Sequence, residues 1–217
     1  MTGAGKVHLV ASDHAVAAAV ARCRVYREFA NAFLHPDLGS AGRLDDGTWL
    51  ARLNALAREL PCEDPFTALG VPVLDGIAGL AQVYSSSFEV GQGAVSLHER
   101  SYGTRADTDK ALFEDLFRFY EHFGLRFDEG LPEFPDWLVV ELEFMHYLCF
   151  LEAEAGDAPS RAALRRGERD FLVRHLQGFA TGLAARLGEA RIPAYADAAR
   201  LLEAFVRADA AWLTRAT

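Results

Sequence analysis

The stretch Pro135-Asp136-Trp137-Leu138-Val139-Val140-Glu141-Leu142-Glu143-Phe144-Met145-His146-Tyr147-Leu148-Cys149-Phe150-Leu151-Glu152-Ala153-Glu154-Ala155 reads as one helix and sets the class of the whole chain. At about 100° per residue, Leu138, Leu142, Met145 and Cys149 share one narrow stripe, and Phe144, Leu148 and Leu151 widen it on one side. A helix apolar around most of its circumference is covered by neighbours on several sides, so this is a core helix. Glu141 interrupts the apolar sector, about 60° from the stripe's centre. A buried carboxylate is costly unless paired, so Glu141 is either satisfied by an Arg or a backbone N–H, or held for a partner. Asp136 and Glu143 fall close in azimuth on the opposite face, about 10 Å apart along the axis. Asp136 reads equally well as a cap or first-turn acid favoured by the helix dipole. Trp137 reads as packing or as an aromatic platform.

The same 3.6-residue period runs outward in both directions. Ser12 or Asp13 caps a helix to about Leu34, with Val16, Ala19, Val20, Cys23, Tyr26, Ala30 and Phe33 on one face, ended by His35-Pro36. A Gly- and Asp-rich loop reaches Gly47. Thr48–Leu60 is a short helix stopped by Pro61, and Val71-Pro72 opens another that fades near Gly91. Gly91–Ala106 has no helical pattern. Asp107 or Thr108 caps a helix closed by Gly124, a turn-rich linker follows, and Pro135 starts the core helix. Ser160 begins a long helix to about Leu187, and Pro193 begins the last, to about Leu213. Seven helices and no strand predict an all-α, single-domain helical bundle: residues 1–11 a flexible N-terminus, residues 12–217 one helical domain.

Composition and motifs exclude several classes. A net charge of -9 argues against a nucleic-acid partner, which would need clustered Lys and Arg. The three cysteines, Cys23, Cys62 and Cys149, form no CxxC pair, and the seven histidines make no i, i+4 pair with another His or Cys. His98-Glu99 begins an HExxH string that fails at Tyr102. Gly91-Gln92-Gly93 follows no strand, and there is no P-loop or GxSxG elbow. Neither a catalytic group nor a cofactor is expected. No apolar run reaches 18 residues, and Asp13 and His14 break the Val7–Ala21 stretch, so neither a membrane span nor an export signal is expected. Reduced cysteines fit a cytoplasmic setting.

Pro135-Asp136-Trp137-Leu138-Val139-Val140-Glu141-Leu142-Glu143-Phe144-Met145 resembles the PDHLxxELEFM signature of the TorD/DmsD/NarJ-type redox-enzyme maturation chaperones. Three further pieces agree in order. Tyr26–Pro36 looks like that family's first helix, Leu97-His98-Glu99-Arg100-Ser101-Tyr102 like its mid-chain loop, and Phe117–Leu125 like its FYxxFGL helix end. Together they cover roughly Tyr26–Glu154. Trp137 stands where the family often has His, and His98 where it commonly has Trp. Both positions are linked in the family to recognition of the leader peptide. The whole stretch Phe123–Leu148 looks most like the subgroup serving type II dimethyl-sulfoxide-reductase enzymes.

The resemblance implies a cytoplasmic chaperone with no turnover. It would bind the catalytic subunit of a molybdopterin-dependent oxidoreductase, and its twin-arginine leader, until the subunit is mature. It also implies a monomer or a helix-swapped dimer. Two guanidinium groups beside an apolar stretch call for carboxylates beside aromatics. The residues expected at such a site are His98, Glu99, Arg100, Tyr102, Tyr120, Asp136, Trp137, Glu141 and Glu143, provided the mid-chain loop and the head of the core helix converge. An architectural adaptor, or a stable subunit of a complex, has the same long apolar helices and stays open on the sequence.

Overall fold

A computed structural model of the chain describes residues 14–36, 44, 48–67, 79–90, 94–103, 109–126 and 134–217. The expected N-terminal tail, the Ser12 and Asp13 caps, the onset of the third helix at Val71, Gly91–Gly93, the Asp107 and Thr108 caps and most of the linker before Phe134 lie outside these residues.

The described residues form seven helical runs. They are α1 (His14–Phe33), α2 (Trp49–Ala57), a short α3 (Leu80–Tyr84) that widens into a π turn (Ser85–Glu89), α4 (Asp109–His122), α5 (Leu138–Glu154), a long run of α6 (Ala158–Phe171) and α7 (Gln177–Glu189) joined by a π turn (Leu172–Leu176), and α8 (Pro193–Ala216). The long run is the single helix expected from Ser160 to Leu187. It starts two residues earlier because the Asp157 carboxylate accepts from Ser160 N at 2.8 Å and Pro159 sits in the first turn, where it needs no donor. Gly124, with φ +82°, closes α4 as expected, since that left-handed turn suits a residue without Cβ.

The α5 stripe is the centre of the core: Leu138, Leu142, Met145, Leu148 and Cys149 are all fully buried. α1 lies along α5, α6 flanks it, and α7 packs on α8. Tyr26, Phe29 and Phe205 stack where α1 meets α8, and Tyr120, Phe144 and Phe171 where α4, α5 and α6 meet.

Arg22 is a surprise inside this core. It is fully buried and spends its guanidinium on three helices. Nε donates to Asp209 Oδ1 at 2.5 Å, Nη1 to Glu152 Oε2 at 2.8 Å and Nη2 to Glu168 Oε2 at 2.5 Å. Tyr26 adds a bond to Asp209 at 2.6 Å, and Arg165 donates to the second oxygen of Glu152 at 2.5 Å. The two guanidiniums both lie over the Trp212 ring. Burial works to strip the Arg22 proton, but Asp209 and the other anions outweigh it and hold the pKa above its ordinary value.

The core helix begins at Leu138, three residues later than Pro135. Trp137 is extended (φ -76°, ψ 131°) because residues 136–138 pair with 97–99. Leu138 N donates to Leu97 O and Glu99 N to Asp136 O, each at 2.9 Å, which makes an antiparallel bridge between His98 and Trp137. That pairing satisfies a backbone N–H that a helix start otherwise leaves open.

Candidate functional site

The bridge brings the mid-chain loop onto the head of α5. Asp136 is the pin. It is 0% exposed, and its carboxylate is already shared. His98 Nδ1 lies 3.2 Å from Oδ1, the Arg100 backbone N–H donates to Oδ2 at 3.3 Å, and Arg100 Nε lies 3.6 Å from the same oxygen. Asp136 therefore caps the tight turn Glu99–Ser101 and not the helix. The guanidinium of Arg100 lies over the rings of Phe113 and Phe134, 5.4 and 4.6 Å from their centroids.

Behind this turn runs a row of acids and a histidine. Glu141 is 0% exposed, and neither of its oxygens meets a donor. Burial first, then the charges of Glu99 and Asp136, push its pKa well above the usual carboxylate range. Burial and the same carboxylates also raise Tyr120, whose hydroxyl donates to Pro135 O at 2.7 Å. Glu99 faces His175, whose Nδ1 lies 3.1 Å from Oε2, while His175 Nε2 lies 3.3 Å from Asp115 Oδ2. Arg174 closes the row by donating to Asp115. His175 and Arg174 both sit in the π turn of the long helix, a local widening that often marks a functional position.

The row opens into a cleft of about 790 Å³ between the turn, α4 and the π turn. Glu99, Arg100, Tyr102, Asp115, Arg174 and His175 border it, with Phe179 as an aromatic wall behind Tyr102. Val173 stands 54% exposed on its rim, an unusual position for a β-branched apolar side chain. The Tyr102 ring is fixed by its hydroxyl bond to Ser96 O at 2.5 Å and by Arg186, whose guanidinium lies over it at 4.5 Å.

The nine residues singled out from the sequence thus separate. Glu99, Arg100 and Tyr102 border the cleft, and His98 sits half-buried beside it against Phe134. Tyr120, Asp136 and Glu141 are buried, so they bear on the cleft from beneath and offer no surface to a partner. The expectation that Asp136 and Glu143 share one face is corrected. Asp136 precedes the helix and points inward, whereas Glu143 is exposed and does not border the cleft. Trp137 is half-buried against the core. Asp115, Arg174 and His175 were missed, although His175 lies on the apolar stripe of Phe171, Leu172, Leu176 and Phe179, where a histidine stands out. Among the described residues no three His, Cys, Asp or Glu side chains group as metal ligands, and no helix is long and apolar enough to cross a membrane.

The described residues thus form a helical bundle with one charged, aromatic-walled cleft. The sequence profile of the family described as nitrate reductase delta subunit matches residues 53–185, and the chain belongs to that family. It is 41% identical to the selenate reductase assembly chaperone protein of Thauera selenatis and 37% identical to the chlorate reductase assembly chaperone protein of Ideonella dechloratans. Each match covers 52% of this chain and 60% of the relative's length. It is 35% identical to the dimethyl sulfide dehydrogenase assembly chaperone protein of Rhodovulum sulfidophilum, over 81% of this chain and 72% of that one. No solved structure gives a significant match.

Proposed function

We propose that this chain is an assembly chaperone, without turnover of its own, for the catalytic subunit of a molybdopterin-dependent oxidoreductase of the type II dimethyl-sulfoxide-reductase group. It acts in the cytoplasm before export, as a monomer or a helix-exchanged dimer. The observation that carries the reading is the open cleft bordered by the Leu97–Tyr102 loop, which the head of α5 pins from behind, in a chain whose relatives are named as assembly chaperones of a selenate reductase, a chlorate reductase and a dimethyl sulfide dehydrogenase.

The cleft suits the twin-arginine leader of that subunit. Glu99 and Asp115 offer carboxylates to guanidinium groups, and Tyr102, Phe179 and Val173 offer apolar wall to the residues that follow. Trp137, Glu143 and His98 do not line the cleft.

The test is recovery of the client. A tagged chain expressed in cells blocked in molybdenum-cofactor synthesis is expected to co-purify with a cofactor-free catalytic subunit and to release it once the cofactor is supplied. A complex that persists with the loaded subunit would make the chain a structural subunit instead.

A further inference from the structure

The bond count around Glu141 does not close with an ionised side chain. Both oxygens are buried without a donor, and the group within hydrogen-bonding reach is another carboxyl, that of Glu99. The charged and titratable groups facing this point come from every neighbouring element. The turn brings Glu99, with Arg100 and His98 engaged on Asp136. α4 brings Tyr120 and Asp115, and the π turn brings His175 and Arg174. None of them gives Glu141 a hydrogen bond. Two acceptors in contact repel; one proton between them turns the contact into a strong O–H···O bond.

We propose that Glu141 is a neutral acid whose O–H holds Glu99, opposite His175, as a carboxylate turned to the cleft, and that this makes Glu99 the receptor for a cationic side chain of the partner. Glu141 is then a positioning residue, acting on the guest only through Glu99. This rests on the reading of the cleft as a peptide site, and it adds a charge requirement that a merely greasy groove would lack. With Glu99 gripped from both sides, the carboxylate has few orientations to lose when a guanidinium arrives.

The probe is a synthetic peptide amide with two adjacent arginines ahead of four leucines, beside a twin in which both arginines are citrulline. Glu141→Leu removes the donor but also a buried polar group, so it is expected to stay folded. It should weaken the arginine peptide by about tenfold or more, the value of a hydrogen bond to a charged group. It should leave the citrulline peptide unchanged. Glu141→Gln, whose amide N–H₂ replaces the acid's O–H, should restore most of that loss. In the protein alone, the infrared difference spectrum of wild type minus Glu141→Gln at neutral pH should contain the carbonyl stretch of a protonated carboxylic acid. Equal losses in the Gln and Leu variants, or a spectrum without that band, would overturn the assignment. Failure of the wild type to bind either peptide would instead overturn the peptide reading of the cleft, and the infrared measurement separates the two failures.

Discussion

The Arg22 cluster and the Glu99–His175 row use the same kinds of side chain and end in opposite states. Arg22 and Arg165 face Glu152, Glu168 and Asp209, two cations against three anions, with only Arg165 partly open to solvent. One proton on Glu168 balances that count, and burial raises its pKa to about 7 against the pull of Arg22. The cluster joins α1, α5, α6 and α8 and leaves no guanidinium nitrogen of Arg22 without an acceptor. In the other region, Glu99 and Asp115 flank one histidine, Glu141 lies buried behind Glu99, and one side is a cleft. Saturated buried charge fixes helices relative to one another; unsaturated charge beside a cleft is left for a partner.

The largest way to break this contrast is Arg22→Met. Three buried carboxylates would each lose the Arg22 partner, Glu152 alone keeping Arg165, at about 3–5 kcal/mol, a large share of a typical domain's stability. Urea unfolding of the variant should show that loss, while the material still folded binds partner as before. A loss no larger than that of a surface ion pair would mean the cluster is not what holds the bundle. Next in size is pH. Glu168 has a folded pKa of about 7 against an ordinary 4.5, so the folded state holds its proton more tightly. The stability it contributes is complete below about 4.5 and is lost as pH rises to about 7, on the order of 3 kcal/mol across that window. Denaturant midpoints at pH 5 and pH 7.5 should differ in that direction, and Glu168→Gln should flatten the difference.

The two regions were not equally legible. The helices were, because Leu138, Leu142, Met145 and Cys149 repeat at the helical period and every one is buried. Arg22 follows an alanine-rich run, and nothing beside it in the sequence announces a buried charge. Its face was readable, since Ala18, Ala19, Val25 and Tyr26 share it, but its partners lie 130 to 187 residues away and no local pattern couples them. Glu99 and Asp136 were expected together on condition that the mid-chain loop met the head of the core helix, and the backbone pairing of the two segments brings them together. The burial of Asp136 was not legible: it lies behind a turn whose Arg100 reaches over Phe113 and Phe134. The π turn that presents His175 is a tertiary accommodation of one extra residue per turn, which an apolar stripe does not announce.

Asp136→Ala sharpens the comparison from the cleft side. It removes the carboxylate that Arg100 and His98 share, at about 1–3 kcal/mol of partner affinity by calorimetry. Trp137→Ala, a half-buried side chain outside the cleft lining, should cost less affinity than Asp136→Ala. If neither variant changes affinity, the turn is scaffolding and the partner binds elsewhere.

The smallest stability effect belongs to Gly182→Ala, and for that reason it isolates the cleft wall. Gly182 lies inside α7, where alanine is favoured over glycine by about 1 kcal/mol. A Cβ at that point would stand 2.6 Å from Tyr102 Cδ1 and 3.3 Å from its Cβ and Cγ, so the tyrosine has to move. It cannot swing freely, because Ser96, Phe179 and Arg186 hold the ring on three sides. Overpacking of this kind costs about 1–3 kcal/mol, so the two terms largely offset. Calorimetric melting should therefore shift little, while partner affinity falls because the aromatic wall has turned. A variant that keeps full affinity would show that Tyr102 borders the cleft without taking part in binding.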